Sequence, residues 1–197
     1  MYQAQFLQGL PEPWASVPAI AFAWDSRPTV VADDRVGIAD GGGRPLLRID
    51  LWHECGYTFA REVRCSARAV VIVAGRHGHV VGPETGEMRS FCDGRGSPME
   101  QVIVPEDLAE PAGTFGFLVG GYLDLWHLNE DGSERWRQEM LAVDGVVLHG
   151  VRAGCVRGSA QCDPPDGWTP FQVDLKTGQL VQAPEPWWSL WRNGFNR

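Results

Sequence analysis

The residues that could do chemistry are few and their spacings are short. His77-Gly78-His79 places two imidazoles two residues apart, and His53 with Cys55 repeats that spacing. Residues i and i+2 of a strand share a face, so each pair offers two donors, whereas a tetrahedral metal needs three or four. The intervening glycine reads as a tight turn that leaves both histidines at a solvent edge, and no metal site is assigned. Asp33-Asp34 is a carboxylate pair of the kind that can divide acid and base roles when its pKa values are pushed apart. Adjacent strand residues face opposite ways, so a turn role is expected. No G-x-S-x-G, Walker loop or H-E-x-x-H occurs. The glycine runs Gly41-Gly42-Gly43 and Gly120-Gly121 fall between predicted strands, not ahead of a helix, and read as hairpin turns. No catalytic residue and no cofactor is assigned.

Binding chemistry is better represented. The stretch Cys162-Asp163-Pro164-Pro165-Asp166-Gly167-Trp168 interrupts two predicted strands with a stiff, charged loop ending in a large flat ring. Loops on a rigid scaffold carry function, and aromatic anchors beside charge resemble interface hot spots. Residues 105–113 form a second interruption, with a turn of helix predicted after Pro105 and Glu106, Asp107 and Glu110 presented to solvent. Asp163, Asp166, Trp168, Glu106, Asp107 and Glu110 are therefore the expected partner-binding residues. The chain carries 17 basic and 25 acidic residues, for a net charge of −8, with lysine occurring once at Lys176. That balance opposes a grip on phosphate backbones and suits a basic protein partner.

These residues must be positioned by a repeat. Turns at Ala39-Asp40-Gly41-Gly42, Pro83-Glu84-Thr85-Gly86, Asn129-Glu130-Asp131-Gly132 and Leu175-Lys176-Thr177-Gly178 put Gly42, Gly86, Gly132 and Gly178 at spacings of 44, 46 and 46 residues. Around each lies the same phrase of four short β-like runs bounded by Gly, Pro, Asp or Ser. The fold class expected is all-β: four repeats of about 45 residues, each a four-stranded antiparallel sheet, with copies at about 19–52, 57–91, 99–140 and 144–183. Such a period marks a propeller blade, because one small twisted sheet cannot bury both faces unless neighbours stack on it. One propeller-like domain over 1–197 is expected, as a closed four-bladed ring or an open arc. The terminal arms 1–18 and 184–197 both contain Pro-Glu-Pro-Trp, at Trp14 and Trp187. Both are expected to dock on the body and cover edge strands.

The phrases GHVVGPETGEMRSF and LDLWHLNEDGSERW resemble the quinoprotein-type, WD40-like propeller repeat, whose blade closes on a Thr-Gly or Asp-Gly turn with a tryptophan four residues after the glycine. Trp136 matches that position after Gly132, whereas Ser90 after Gly86 and Gln182 after Gly178 do not. The resemblance implies a propeller architecture, and no quinone is carried over with it. In size, charge and phrasing the chain is also similar to small repeat-built immunity proteins of bacterial toxin systems. That likeness implies a non-catalytic, cytoplasmic module that neutralises a basic toxin domain. The alternative is a small-ligand-binding or hydrolytic enzyme using a pocket on the propeller axis, with His77, His79, Asp33 or Asp34 as its polar groups. Five cysteines without a C-x-x-C pair suit reduced thiols. The opening MYQAQFLQGLPEPW shows no secretory pattern and no window reaches a membrane span, so a cytoplasmic setting without membrane contact is expected.

Overall fold

The computed structural model describes residues 2–23, 31–53, 60–108, 116–163 and 167–183. Among the described residues, sixteen strands form four four-stranded sheets. The strands of the first are β1 (Gln3–Phe6), β2 (Ala19–Ala23), β3 (Asp34–Ala39) and β4 (Pro45–Trp52); those of the second are β5 (Arg61–Cys65), β6 (Val70–Ala74), β7 (His77–Val81) and β8 (Met88–Phe91). The third contains β9 (Met99–Ile103), β10 (Phe117–Gly121), β11 (Leu125–Leu128) and β12 (Glu134–Gln138), and the fourth β13 (Val146–Arg152), β14 (Cys155–Asp163), β15 (Gly167–Asp174) and β16 (Leu180–Gln182). Three sheets keep chain order across the sheet, as successive antiparallel hairpins do. The all-β repeat expected from the turn spacing is therefore the architecture observed.

The first sheet departs from the predicted phrase. Its order is β1-β3-β4-β2, with β2 parallel to β4 and the amino-terminal arm supplying β1 against β3. Val31 to Asp33, expected in a strand, lie outside any strand. The arm docks as expected. Trp14 is buried and its ring lies where a Cβ on Gly37 would stand, 2.8 Å away. Arg48, the register partner of Gly37, donates to the Trp14 carbonyl at 2.8 Å and grips Asp50 through two nitrogens at 2.9 and 3.0 Å. The corresponding docking of 184–197 lies outside the described residues.

The chain divides into two compact units, Met1–Val102 with Glu130–Ser133, and Ile103–Asn129 with Glu134–Arg197. Each has its own core. In the first, alternation in β4 turns Leu47, Ile49 and Leu51 inward and Arg48 and Asp50 outward, the pattern of a half-buried strand. Those side chains meet Val70, Ile72, Ala74 and Val81 of the second sheet. The core of the second unit joins Leu118, Leu125 and Trp136 to Val146, Leu148, Val156, Phe171 and Val173. Gly120 and Gly121 belong to β10 and not to a turn: a Cβ on Gly120 would stand 2.9 Å from the Val146 carbonyl. The interruption at 162–168 is shorter than expected, since β14 runs to Asp163 and β15 begins at Gly167. In the other interruption, Pro105–Asp107 form the expected single helical turn, of 3-10 type.

The repeating turns carry a shared device. In the last, Asp174 accepts the Lys176 and Thr177 N–H groups at 3.1 and 2.7 Å, and Gly178 donates back to the Asp174 carbonyl at 2.9 Å. Gly86 donates to Gly82 and Gly43 to Asp40 in the same sense. The left-handed glycine of the first copy is thus Gly43, not Gly42, followed by Gly86, Gly132 and Gly178. Gly178, at φ 74°, also presses on the indole of Trp136, where a Cβ would stand 2.7 Å from Cγ. Gly154, at φ 75°, has open space at the same point. Left-handed backbone alone costs an alanine about 1–2 kcal/mol. Gly154→Ala is expected to lose that much, and Gly178→Ala about 1–2 kcal/mol more because the ring must shift. Urea unfolding midpoints of the two variants, with unchanged slopes, check the difference.

Candidate functional site

The histidines expected at a solvent edge are in the interior. His77 and His79 lie on β7 and are 5% and 1% exposed. The turn lies one step earlier, at Gly75 and Arg76. Gly78 is a strand residue whose missing side chain admits the ring of Phe91, 2.1 Å from where a Cβ would be. Because β7 alternates about that glycine, both imidazoles face the same way, and Phe22 of β2 packs on them at ring separations of 5.2 and 4.5 Å. The two imidazoles are 6.3 Å apart.

His53 and the aspartate pair join this cluster from the first sheet. Asp34 opens β3 with its side chain buried and accepts from His53 Nε2 at 2.9 Å and from Arg61 Nη2 at 2.8 Å. Asp33 accepts the His53 backbone N–H at 2.7 Å. The two carboxylates therefore hold one histidine by its ring and its backbone, a structural duty fuller than the turn role expected. His79 Nδ1 bonds Ser90 Oγ of β8 at 2.8 Å. Burial, with further charge from His77 and then His53, pushes the His79 pKa down to about 3. An imidazole of that basicity is neutral near pH 7 and is a weak general base, since the favoured base titrates close to the working pH.

Among the described residues no three His, Cys, Asp or Glu side chains are arranged to hold a metal ion. Cys55 lies outside them. Two cavities formed by described residues, about 130 Å³ beside Trp14 and about 170 Å³ beside Arg89 and Asp131, fall below the roughly 300–1,000 Å³ of small-molecule sites. Sequence reasoning singled out His53, His77, His79, Asp33 and Asp34 but missed Phe22, Arg61 and Ser90. Nothing local marks those three, because three different strands bring them in.

The second unit has a buried counterpart. His127 on β11 packs edge-on against Trp136 at 5.1 Å, and burial, then the charge of Arg135, pushes its pKa down to about 4. Trp136 donates through Nε1 to the Leu175 carbonyl at 2.9 Å. Asp124, fully buried, takes Arg137 Nε at 3.0 Å and the Met140 N–H at 2.8 Å, with Arg137 Nη2 on the same carboxylate oxygen. Arg137 also stands over the Trp126 ring at 5.0 Å.

Of the expected partner-binding residues, Trp168 is on β15, 42% exposed and opposite Gln161 of β14. Glu106 and Asp107 are exposed on the 3-10 turn, where Asp107 accepts the Val104 N–H at 3.1 Å. Asp163 pairs with Gly167 through the backbone. Asp166 and Glu110 lie outside the described residues. No helix among the described residues is long and apolar enough to cross a membrane.

No family model matches the sequence, nor does any curated protein. Among solved structures, the chain is similar to the WD40 domain of Neurospora crassa Pan2, with a TM-score of 0.44 and 11% identity over 76% of this chain and 46% of that one. It is also similar to a protein of unknown function from Bacteroides caccae, with a TM-score of 0.43 and 10% identity over 77% of this chain and 54% of that one. The chain spans about half the length of each.

The buried imidazoles set a pH dependence. His79 titrates near 6.5 when exposed and near 3 when folded, so between those values the unfolded chain binds more protons. Its contribution to stability is complete above pH 6.5 and falls as the pH drops toward 3. His127 acts in the same direction down to about 4. His79→Gln is expected to flatten the fall in unfolding free energy between pH 6.5 and 4, as read by urea titrations at each pH.

Proposed function

We propose that the protein is a non-catalytic protein-binding module, and that its partner is a basic toxin domain that it neutralises in the bacterial cytoplasm. The observation that carries the reading is Trp168. A large ring stands exposed where β14 closes and β15 opens, two paired strands of nine and eight residues, so a regular sheet presents it. Exposed aromatics on fixed scaffolds are the usual anchors of protein interfaces. The net charge of −8 favours a cationic partner through steering. Asp163, Asp166, Glu106, Asp107 and Glu110 are the acidic residues proposed to contribute.

A second reading, a small-ligand or hydrolytic enzyme, has the convergence of Asp34, His53, Arg61, His77 and His79 in its favour. Against it, Phe22 packs on both β7 imidazoles, and His79 is too weak a base for proton transfer near neutrality. A small molecule retained in native mass spectrometry would reverse the preference.

Co-expression with the products of adjacent genes tests the first reading. One such product is expected to be toxic alone, harmless alongside this protein, and recovered in a complex with it. Trp168→Ala is expected to weaken that complex at least tenfold and Glu106→Lys several-fold, measured by calorimetry. If no adjacent gene is toxic and none of the products forms a complex, the toxin reading fails.

A further inference from the structure

The connection from β12 to β13 carries apolar side chains outward. Met140 is 59% exposed and Val143 49%, and Val147 at the start of β13 is 38% exposed. Backbone pairing places Val143 and Val147 beside Trp168, and Met140 precedes Val143 by three residues in the same connection. The Val143 and Asp144 N–H groups both donate to the Gln161 carbonyl, at 2.9 and 3.3 Å, and Gln161 donates to the Gly145 carbonyl at 2.9 Å. Gln161 is the register partner of Trp168. Val147 pairs with Ser159, and Ser159 with the exposed Pro170. Directly opposed residues share a sheet face, as do residues two apart on one strand. Val147, Pro170 and Trp168 therefore line one face of the fourth sheet, with Val143 at its end.

The backbone of Met140 is anchored. Met140 has φ 53°, a conformation that side chains other than glycine avoid, and its N–H is fixed by the buried Asp124, itself paired with Arg137. Local strain maintained by a buried anchor is a mark of functional sites. Glu139 and Asp144, the sequence neighbours of Met140 and Val143, are both exposed; Glu139 also pairs with Arg137 Nη1 at 3.8 Å, so Asp144 is the carboxylate nearer Val143. Arg157 is the half-buried cation farther along the face, on the side of Ser159 away from Gln161.

We infer that Met140, Val143, Val147, Trp168 and Pro170 dock a cationic protein segment, whose apolar side chains cover the patch while its Lys or Arg groups meet Glu139 and Asp144. Charge selects the occupant: the acidic rim disfavours an acidic segment and, with a net charge of −8, disfavours a second copy of this chain. The inference rests on the reading of the protein as a binding module and names the surface and partner chemistry.

The test uses the full chain labelled at the methionine methyls, with the Met140 resonance assigned by Met140→Leu. It is titrated with two pools of 12-residue peptides that alternate Leu or Phe with Lys or Arg in one pool and with Glu or Asp in the other. The cationic pool is expected to shift the Met140 methyl and bind at least tenfold more tightly than the acidic pool. Val143→Lys, an exposed change that removes the apolar contact and repels a cationic segment, is expected to reduce that binding at least tenfold, whereas Leu10→Lys in the first unit leaves it intact. Cationic binding that moves other methyls but not Met140, or that survives Val143→Lys, overturns this surface while leaving the binding-module reading standing. A Met140 shift that grows with the protein's own concentration assigns the face to a second copy and also overturns the inference. No binding by either pool overturns the surface, and the toxin reading is then judged by co-expression alone.

Discussion

The structure depends on a contact between a left-handed turn and the outer strand of another sheet. Gly178, in the turn before β16, sits on the Trp136 indole. Gly132, in the turn before β12, sits the same way on Val80 and Arg89, with Cβ contacts of 3.0 Å. A side chain at either glycine would hold the turn away from the strand beneath it. The same indole donates to the Leu175 carbonyl, so one ring is clamped from above by a turn and tied to the strand end from which that turn departs. The last turns of the third and fourth sheets are each delivered onto a neighbouring sheet in this way, whereas the Cβ positions of Gly43 and Gly86 meet open space.

That arrangement explains why imidazoles are tolerated in the interior. His79 and His127 each lie on the third strand of their sheet, in fully buried strands, where a charged group would be costly and a neutral one needs hydrogen-bonding or aromatic company. His79 finds Ser90 and Phe22, and His127 finds Trp136. Burial removes their basicity, which turns residues that look reactive in a sequence into packing elements. His53 is different, because Asp33 and Asp34 anchor its backbone and its ring, and the group links the first sheet to Arg61 of the second.

Much of this was legible in the sequence for one reason: turn chemistry is local. Asp174, Thr177 and Gly178 make their defining bonds within four residues of one another, so their spacing reported the strands on either side. The first sheet was read least well. Its outer strand comes from a proline-rich arm that local pattern gives no reason to pair, and its β2 runs parallel to a partner that lies 29 residues on in register, Ala19 against Arg48. The burial of His77 and His79 was misread because Gly78 looks like a turn residue, and only the Phe91 ring, 13 residues away, shows what the missing side chain is for. The clustering of Val143 with Trp168 depends on two hydrogen bonds to one carbonyl, which no pattern of residue types encodes.

The turn that places Gly178 on Trp136 also holds the chain's single lysine, exposed at Lys176 with its N–H fixed by Asp174. Every other Lys/Arg side chain is arginine, which amine-directed reagents leave untouched. Apart from the α-amino group, a dye, biotin or surface linker therefore finds one side-chain amine, at a known corner of the second unit and at the end of a sheet whose register is defined.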